Sequence, residues 1–330
     1  MGELIVGTLQ RKMPRRTETI HVHLGNDPNA RASVGRMLEA DGRKATFIDE
    51  GTLPEALPDI DVLLCGWAPR IDWTAAKKLR LIHCMGAGID YLLPATGLAE
   101  EVVIANARGI HAAEMRDHTL AMMLAFERDL PRVFKQQAAR QWEPFMPGSL
   151  SGRTLGLVGL GEVGKPIAAA GKALGMRVVG VRRTETHTPF VDEIHPPERL
   201  PLVLRASDYL VVSAPLTSQT RGLLDAAALA EMKPEAVLIM LSRGGIVDEP
   251  ALFSALRTGK LRGAALDVFG KEPLPPMSPL WAAPNLIITP HIAGWMPGYV
   301  ERAIALFLTN LDRFDEGQPV LTPVDRDNGY

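Results

Sequence analysis

The strongest constraint on the fold is a short apolar run that leads directly into a glycine-rich turn. Residues 154–158 form the apolar run, and residues 159–164 follow the pattern Gly-x-Gly-x-x-Gly. A helical pattern over 167–174 and a second apolar run over 176–181 come next. In this order of elements, the glycines and the helix N-terminus receive the pyrophosphate of a dinucleotide. We therefore predict a dinucleotide-binding domain, with cofactor contacts at Gly159, Gly161, Glu162, Val163 and Gly164.

Length, charge and cysteine content exclude several classes of protein. The chain has 330 residues, which gives room for two domains of ordinary size. Its 36 basic and 38 acidic residues leave a formal net charge of -2, which argues against a nucleic-acid partner. No stretch approaches the roughly 18 apolar residues of a membrane span, so no membrane partner is expected. Cys65 and Cys84 lie inside apolar runs without a Cys-x-x-Cys pair, which predicts buried, reduced thiols, a cytoplasmic location and no metal site.

Apolar runs alternate with helical patterns from residue 19 onwards, which predicts an α/β protein with doubly wound parallel sheets. Residues 1–18 are expected to be a loosely docked N-terminal extension. A long helix is predicted over 111–140, followed by a proline- and glycine-rich linker over 142–152. The last helix is predicted over 298–316, because it is amphipathic and ends at a glycine with a proline beyond it.

Three short clusters each place a reactive side chain just beyond a predicted strand. The side chains are Arg243, Glu272 and His291, and each lies beside glycine or proline. Because the carboxyl ends of parallel strands line the ligand crevice of an open α/β sheet, we expect these side chains to approach a bound nicotinamide. Together they offer an anion clamp, a carboxylate and a proton donor.

Seven motifs, in order along residues 80–295, resemble those of the D-isomer-specific 2-hydroxyacid dehydrogenase family. They are Gly86-Ala87-Gly88-Ile89-Asp90, Asn106-Ala107-Arg108-Gly109, Gly159 to Gly164, Ala214-Pro215-Leu216-Thr217, Ser242 to Glu249, Ala265 to Phe269 with Glu272-Pro273, and Thr289 to Gly294. The resemblance implies a Rossmann cofactor domain over 111–292. It also implies a flavodoxin-like substrate domain over 19–110 and 293–330, an active-site cleft between the two domains, and a homodimer.

The resemblance also implies a role for each reactive side chain. His291 would be the general acid that protonates the carbonyl oxygen of a 2-keto acid, and Glu272 would hold its imidazole by a hydrogen bond. Arg243 would bind the substrate carboxylate with its planar fork. Backbone N–H groups of the loop Gly86, Ala87 and Gly88 would bind the other carboxylate oxygen.

Further contacts to the cofactor and substrate follow from the same resemblance. Cofactor contacts are expected at Ser213, Ala214, Pro215, Leu241, Ser242, Asp267 and Gly294, with Asp267 near the nicotinamide amide. Trp67 and Trp295 follow a predicted strand and the His291 motif, so either ring is a candidate wall of the substrate pocket. Interdomain packing is the alternative role for both.

The end of the second strand of the cofactor domain departs from the NAD-binding pattern. NAD-selective sites carry an acidic residue there, whereas this chain has Arg182, Arg183 and Thr184. Two guanidinium groups and a hydroxyl group suit a 2′-phosphate, so we predict a preference for NADP(H), with NAD(H) possible. In the alternative, the arginines face solvent and Glu185 serves the ribose.

These observations predict an NADP(H)-preferring reductase that converts a 2-keto acid of the glyoxylate or hydroxypyruvate type to the D-2-hydroxy acid. One alternative is an NAD-linked D-2-hydroxyacid or 3-phosphoglycerate dehydrogenase, although no room is left for a C-terminal regulatory domain. A second alternative, of another class, is a binding protein of this fold that senses the dinucleotide. The apolar helix over 120–126 is either the dimer surface or buried core.

Overall fold

The computed structural model describes residues 16–25, 27–66, 71–89, 91–93, 95–183, 187–326 and 328–329. Within these ranges the chain forms two compact units. The first unit contains residues 16–107 and 300–326, and the second contains 108–299 and 328–329. The boundaries predicted from the sequence, at 110/111 and 292/293, lie three and seven residues from these divisions.

The N-terminal part of the first unit alternates strands and helices. Its elements are β1 (Thr19–His23), α1 (Pro28–Ala40), β2 (Lys44–Phe47), α2 (Leu53–Ala56), β3 (Val62–Cys65), β4 (Leu81–Cys84) and β5 (Val103–Asn106). All neighbouring strands are parallel, in the order β2-β1-β3-β4-β5, which is the flavodoxin-like order. Helix α1 begins as the sequence predicts, since the Asp27 carboxylate accepts hydrogen bonds from the N–H groups of Asn29 and Ala30.

The second unit carries the larger sheet. Its elements are α3 (Ala112–Glu127), α4 (Leu130–Ala139), β6 (Thr154–Val158), α5 (Gly164–Ala173), β7 (Arg177–Val181), β8 (Glu193–His195), α6 (Leu200–Ala206), β9 (Tyr209–Val212), α7 (Ala226–Glu231), β10 (Val237–Met240), α8 (Glu249–Arg257), β11 (Gly263–Leu266) and β12 (Leu286–Ile288). Among the described residues the sheet has seven parallel strands in the order β12-β11-β10-β9-β6-β7-β8. This is the Rossmann order with one added strand, and the strand order reverses between β6 and β9.

Both faces of the larger sheet are covered by helices. Along β9, Leu210 and Val212 belong to one apolar cluster with α6, α7 and α8, whereas Tyr209 and Val211 belong to another with α3 and α5. Alternate residues of a strand point to opposite faces, so a strand buried on both faces is apolar throughout. This is why the strands were visible in the sequence as continuous apolar runs.

The last helix, α9 (Tyr299–Asp315), returns the chain to the first unit. There it buries a stripe of residues with helical spacing, including Ile304, Phe307 and Leu311. At the other end of that unit, Thr17 is buried and its N–H and hydroxyl groups donate to the Asp315 carboxylate. The chain is therefore anchored to α9 from residue 17.

Three features differ from the sequence-based expectation. The helix predicted over 111–140 is two helices, because Asp129 adopts a left-handed conformation, with φ of 50°, between α3 and α4. Strand β8 and helix α6 were not predicted, since both lie in a proline-rich segment and β8 has only three residues. The two cysteines are free and buried, as predicted. Within the described residues, no helix combines the length and the apolar character that a membrane span requires.

Candidate active site

The glycine turn after β6 has the geometry of a phosphate-binding turn. Gly159 has a φ of 102°, and a Cβ there would lie 2.7 Å from the backbone nitrogen of Ala214. A Cβ on Gly164 would lie 2.2 Å from the carbonyl oxygen of Gly159, so α5 packs directly on the end of β6. Around Gly161, in contrast, a Cβ would meet no described heavy atom within 4 Å. The turn is closed towards the sheet and open at its middle glycine.

The surroundings of the turn leave backbone donors for a ligand. Among the described residues, no side chain caps the start of α5, whose N-cap residue is Val163. Ser213 stabilises the turn through two hydrogen bonds. Its hydroxyl group donates to the carbonyl oxygen of Gly159 at 3.0 Å, and its backbone N–H donates to the carbonyl oxygen of Val158. The exposed Glu162 carboxylate pairs with Lys165 at 3.3 Å. The hydroxyl oxygen of the half-buried Ser242 is buried without a hydrogen-bond partner in the described chain.

Two arginines follow β7 at the same edge of the sheet, since Val181 pairs with Val158. Arg182 is half-buried and donates to the Thr188 hydroxyl at 3.2 Å. Arg183 is exposed and hydrogen-bonds the side-chain oxygen of Asn328. Thr184 and the alternative ribose ligand Glu185 lie outside the described residues. Two guanidinium groups are thus present where NAD-selective sites carry an acid.

The histidine and glutamate that the sequence singled out are in contact. Nδ1 of His291 lies 2.7 Å from Oε2 of Glu272, and Oε1 of Glu272 accepts the backbone N–H of Phe269 at 2.8 Å. Because an ionised carboxylate only accepts, Nδ1 carries the proton. Nε2 forms no hydrogen bond within the described ranges, so this nitrogen remains for a ligand. The side chain of His291 is 39% exposed, which gives a ligand access to it.

Asp267 holds the loop that presents His291. Its buried carboxylate accepts the Thr289 hydroxyl at 2.6 Å and the N–H groups of Ile292 and Ala293 at 2.9 and 2.8 Å. His291 lies between these residues in the left-handed region, with φ of 54°, which costs about 1–2 kcal/mol for a non-glycine residue. The sequence assigned Asp267 to the nicotinamide amide. In the structure its two oxygens bind both sides of the His291 loop.

Arg243 lies in a second loop of the same unit. Its guanidinium donates to the carbonyl oxygen of Ser242 at 2.8 Å, and it is half-buried. The loop packs against the segment that precedes Glu272, because a Cβ on Gly244 would lie 1.9 Å from the carbonyl oxygen of Phe269. Leu241, also predicted to line the cofactor site, is buried.

His111 and His118 are neighbours of this site that the sequence reasoning did not assign. The His111 ring lies against Gly294, where a Cβ would be 3.3 Å from its Cδ2 atom, and it stacks on Tyr299. Burial lowers the pKa of His111, and the nearby positive charge of Arg243 lowers it further. His118 Nε2 lies 3.3 Å from the Thr289 hydroxyl. The motif over 106–109, which precedes both histidines, was the available signal.

The remaining predicted contacts lie in loops. In the first unit, the residues predicted to bind the substrate carboxylate, Gly86, Ala87 and Gly88, follow β4 and are half-buried. In the second, the Trp295 side chain is 74% exposed, and the backbone N–H of Trp295 donates to the carbonyl oxygen of Ile292. Pro215 follows β9, and its carbonyl oxygen accepts the Thr220 hydroxyl at 2.6 Å. Trp67 lies outside the described residues.

The family model described as D-isomer specific 2-hydroxyacid dehydrogenase, NAD binding domain, matches residues 120–293, more than half of the chain. The chain belongs to the D-isomer specific 2-hydroxyacid dehydrogenase family. The open glycine turn, the uncapped helix α5 and the unpartnered Ser242 hydroxyl fit the NAD(P) cofactor of that family.

Relatives within the family differ in length and in name. D-3-phosphoglycerate dehydrogenase from Synechocystis sp. is 32% identical over 258 residues, which cover 75% of this chain and 45% of that protein. The chain thus spans about half the length of the phosphoglycerate dehydrogenases that it matches. Glyoxylate/hydroxypyruvate reductase A from Escherichia fergusonii is 31% identical over 84% of this chain and 94% of that protein.

Solved structures of family members have the same fold. A D-isomer specific 2-hydroxyacid dehydrogenase from Xanthobacter autotrophicus, solved with NADPH and MES, aligns with a TM-score of 0.85. It is 31% identical to this chain, and the alignment covers 95% of this chain and all of the other.

Proposed function

We propose that the protein is an NADP(H)-preferring reductase of a small 2-keto acid, of the glyoxylate or hydroxypyruvate type, that forms the D-2-hydroxy acid. The observation that carries this proposal is the 2.7 Å contact between His291 and Glu272 on a loop fixed by Asp267. This arrangement presents one imidazole nitrogen in a fixed direction, which is what a proton donor to a carbonyl oxygen requires.

In the proposed reaction, reduced nicotinamide supplies the hydride when it is bound. Glu272 accepts the Nδ1–H of His291, which orients the ring so that Nε2 faces the ligand side. The protonated ring then donates its Nε2 proton to the carbonyl oxygen of the keto acid. The developing alkoxide becomes the hydroxyl group of the product, and the neutral ring takes a new proton from solvent. A positioned general acid of this kind accelerates a reaction by about 10²–10⁴-fold.

Arg243 and the loop over 86–88 would hold the keto acid. A guanidinium binds a carboxylate through two parallel N–H groups, so Arg243 fixes the orientation of the substrate as well as its charge. In the loop, Ala87 and Gly88 would add backbone N–H donors to the other carboxylate oxygen. Of the two candidate tryptophans, Trp295 is the one within the described residues. It would contact the C3 substituent of the keto acid, because its ring is exposed beside the His291 motif.

Two arginines support the preference for NADP(H). Arg182 and Arg183 would bind the 2′-phosphate, while Gly159, Gly161 and the start of α5 would bind the pyrophosphate. An acidic residue at the end of β7 would repel that phosphate, and this chain has none at 182–183. The relative from Xanthobacter autotrophicus was solved with NADPH.

The names of the phosphoglycerate dehydrogenase relatives favour a second candidate, an NAD-linked D-2-hydroxyacid or phosphoglycerate-type dehydrogenase. Cofactor and substrate preference separate the two candidates. An NAD-linked enzyme of this type would oxidise 3-phosphoglycerate with NAD⁺ and would show no advantage for NADPH.

Initial rates of absorbance change at 340 nm test the proposal, as a loss when a keto acid is reduced and as a gain when 3-phosphoglycerate is oxidised. NADPH and NADH are each paired with glyoxylate, hydroxypyruvate, pyruvate and phenylpyruvate, and NAD⁺ is paired with 3-phosphoglycerate. We expect turnover that favours NADPH and a two-carbon or three-carbon keto acid, and a loss of at least 100-fold in H291A. Tight dinucleotide binding without turnover in any pair would instead support a dinucleotide-sensing protein.

We further propose that the protein is a homodimer joined through its cofactor domain. Leu120, Met122 and Phe126 pack against an apolar cluster, so the interior takes much of α3. The exposed apolar surface lies further along, in α4 and in 141–149, where Phe134, Trp142 and Met146 are 62%, 94% and 96% exposed. Exposed apolar patches of this kind mark interfaces.

A cytoplasmic location stays a prediction from the two reduced thiols.

Light scattering on a sizing column tests the dimer. Two variants, W142S and M146S, are expected to shift the mass towards 36 kDa, the mass of one chain. M277S is the matched control, because Met277 is 92% exposed outside this segment and its substitution should leave the mass unchanged. A wild-type mass equal to one chain would overturn the proposal.

A further inference from the structure

The loop proposed to bind the substrate carboxylate is held from one side by the end of β5. The backbone N–H of Ala107 donates to the carbonyl oxygen of Gly86 at 3.1 Å, and Nδ2 of Asn106 donates to the carbonyl oxygen of Ala87 at 2.6 Å. Asn106 is paired with Cys84 in the sheet, so the donors stand beside the strand from which the loop leaves. Both carbonyl groups of the loop therefore point towards β5.

The direction of these carbonyl groups decides the direction of the N–H groups. In a trans peptide the C=O and the following N–H point in opposite directions across one plane. With the carbonyl groups of Gly86 and Ala87 fixed towards β5, the N–H groups of Ala87 and Gly88 point away from it. Neither N–H donates to another residue in the described part of the chain. Two neighbouring donors are thus oriented alike, as an anion requires.

Asn106 is itself fixed from the far end of the chain. Its side chain is buried, its backbone N–H donates to the carbonyl oxygen of Thr322 at 3.2 Å, and its carbonyl oxygen accepts the Thr322 hydroxyl at 2.6 Å. Two bonds to one residue hold both the position and the orientation of the Asn106 backbone. The side-chain amide is then left to reach Ala87.

Asn310 of α9 fixes Thr322 in turn. Its Nδ2 donates to the Thr322 hydroxyl oxygen at 2.9 Å and to Nε2 of His83 at 3.0 Å, while its Oδ1 accepts the N–H of Leu321 at 2.7 Å. Asn310 and His83 are fully buried. We call Asn106, Thr322, Asn310 and His83 the Asn106 network. The hydrogen bonds of Asn310 and Thr322 fix the position of the Asn106 backbone.

We infer that Asn106 is a positioning residue for the substrate carboxylate. It acts through Ala87, by keeping the N–H groups of Ala87 and Gly88 turned outwards, and it does not touch the substrate. The inference rests on the proposed function, since it takes this loop to be the carboxylate-binding one. The inference predicts that loss of the Asn106 side chain weakens binding of a carboxylate, because the bond to Ala87 is lost.

The test compares binding of oxalate, a two-carbon dicarboxylate that resembles glyoxylate, in the presence of NADPH. N106L keeps most of the side-chain volume and removes the donor, and N106A is the second variant should N106L fail to fold. S33A is the matched control, because it removes a side-chain hydrogen bond of the same unit outside the Asn106 network, the one that the buried Ser33 hydroxyl donates to Glu301 at 2.6 Å. Calorimetry gives the Kd for oxalate, and steady-state rates give kcat and the KM values for keto acid and NADPH.

We expect N106L or N106A to raise the Kd for oxalate and the KM for the keto acid about 10- to 100-fold. A loop that no longer turns its N–H groups outwards loses a hydrogen bond to the charged carboxylate, and such a bond contributes this much to affinity. The KM for NADPH should stay within twofold, and S33A should lower the unfolding temperature without changing the Kd for oxalate. Equal Kd values in wild type and N106L would overturn the inference while the proposed function stands. Parallel losses of affinity in S33A and N106L would reduce Asn106 to a structural role. A wild-type chain that binds no oxalate and reduces no keto acid would overturn both.

Discussion

Nδ1 of His291 lies 2.7 Å from Oε2 of Glu272, and the other oxygen of that carboxylate is bound to the backbone of Phe269. The carboxylate is therefore fixed before it meets the imidazole, and it orients the ring without help from a ligand. A histidine held in this way needs no rearrangement to donate a proton from Nε2. The contact is the structural basis for several expected outcomes.

E272Q is expected to slow keto-acid reduction about tenfold at pH 7. The amide keeps an oxygen acceptor for Nδ1–H, but a neutral hydrogen bond replaces the charge-assisted one and holds the ring less firmly. Initial rates at pH 7 measure the loss. E249Q is the control, since Glu249 accepts a backbone N–H from Gly270 at 2.6 Å, and equal losses in both variants would contradict the assigned role.

D267N is expected to destabilise the fold by about 3 kcal/mol and to lower kcat. The carboxylate accepts three hydrogen bonds, and an amide nitrogen in place of one oxygen would face an N–H donor of Ile292 or Ala293. Without the anchor, the left-handed conformation of His291 is no longer enforced. Urea unfolding and kcat measure the two effects. In the control D248N, an asparagine caps α8 as well as aspartate does, so the stability should change by less than about 0.5 kcal/mol.

R182A and R183A are expected to lower the ratio of kcat/KM for NADPH to that for NADH by about tenfold each. Each variant removes one guanidinium from the proposed 2′-phosphate site, while contacts shared by the two cofactors stay. The control is R177A, because Arg177 begins the same strand at the opposite end and pairs with Glu193. A ratio unchanged in both variants would leave the cofactor preference without an explanation at 182–183.

Acid is expected to unfold the first unit partly through His83. Burial lowers the pKa of His83 to about 3, so the folded chain keeps the ring neutral, whereas the unfolded chain takes up a proton below its ordinary value of 6.5. The stability contributed by the neutral ring is complete above pH 6.5 and falls as the pH drops towards 3. The loss is about 1.4 kcal/mol per pH unit.

Urea midpoints of wild type and H83Q at pH 8, 6 and 5 test this expectation. Glutamine supplies an acceptor for Asn310 but does not titrate, so the advantage of the wild type should shrink below pH 6.5. H187Q replaces an exposed histidine and should follow the wild type. Parallel curves for wild type and H83Q would show that His83 has no part in the acid sensitivity.

The sequence predicted the strands better than it predicted the segments around them. Strand β3, Val62–Cys65, is one of the predicted apolar runs, because a strand buried on both faces is apolar throughout. Strand β8 was missed, since a three-residue strand with a charged first residue carries no such run. The break between α3 and α4 depends on one left-handed residue, Asp129, in a stretch whose periodicity hardly changes.

The site was predictable where it follows from strand ends. Glu272 and His291 come after neighbouring parallel strands, so their proximity follows from topology and residue type. The supporting contacts were not predictable in this way. The bond between Asn310 and His83 joins residues 227 positions apart, and local periodicity carries no information on such a pair. The roles of the site residues stay predictions until the variants above are measured.

The strands of the first unit come from residues 19–106, whereas its last helix, α9, follows the strands of the second unit in the sequence. A chain that emerges from the ribosome therefore exposes the ends of β4 and β5 long before Thr322 and Asn310 exist to hold Asn106. All strands of the second unit are translated in between. The loop over 86–88 acquires this support only when residue 322 has emerged, after all strands of the second unit have been translated.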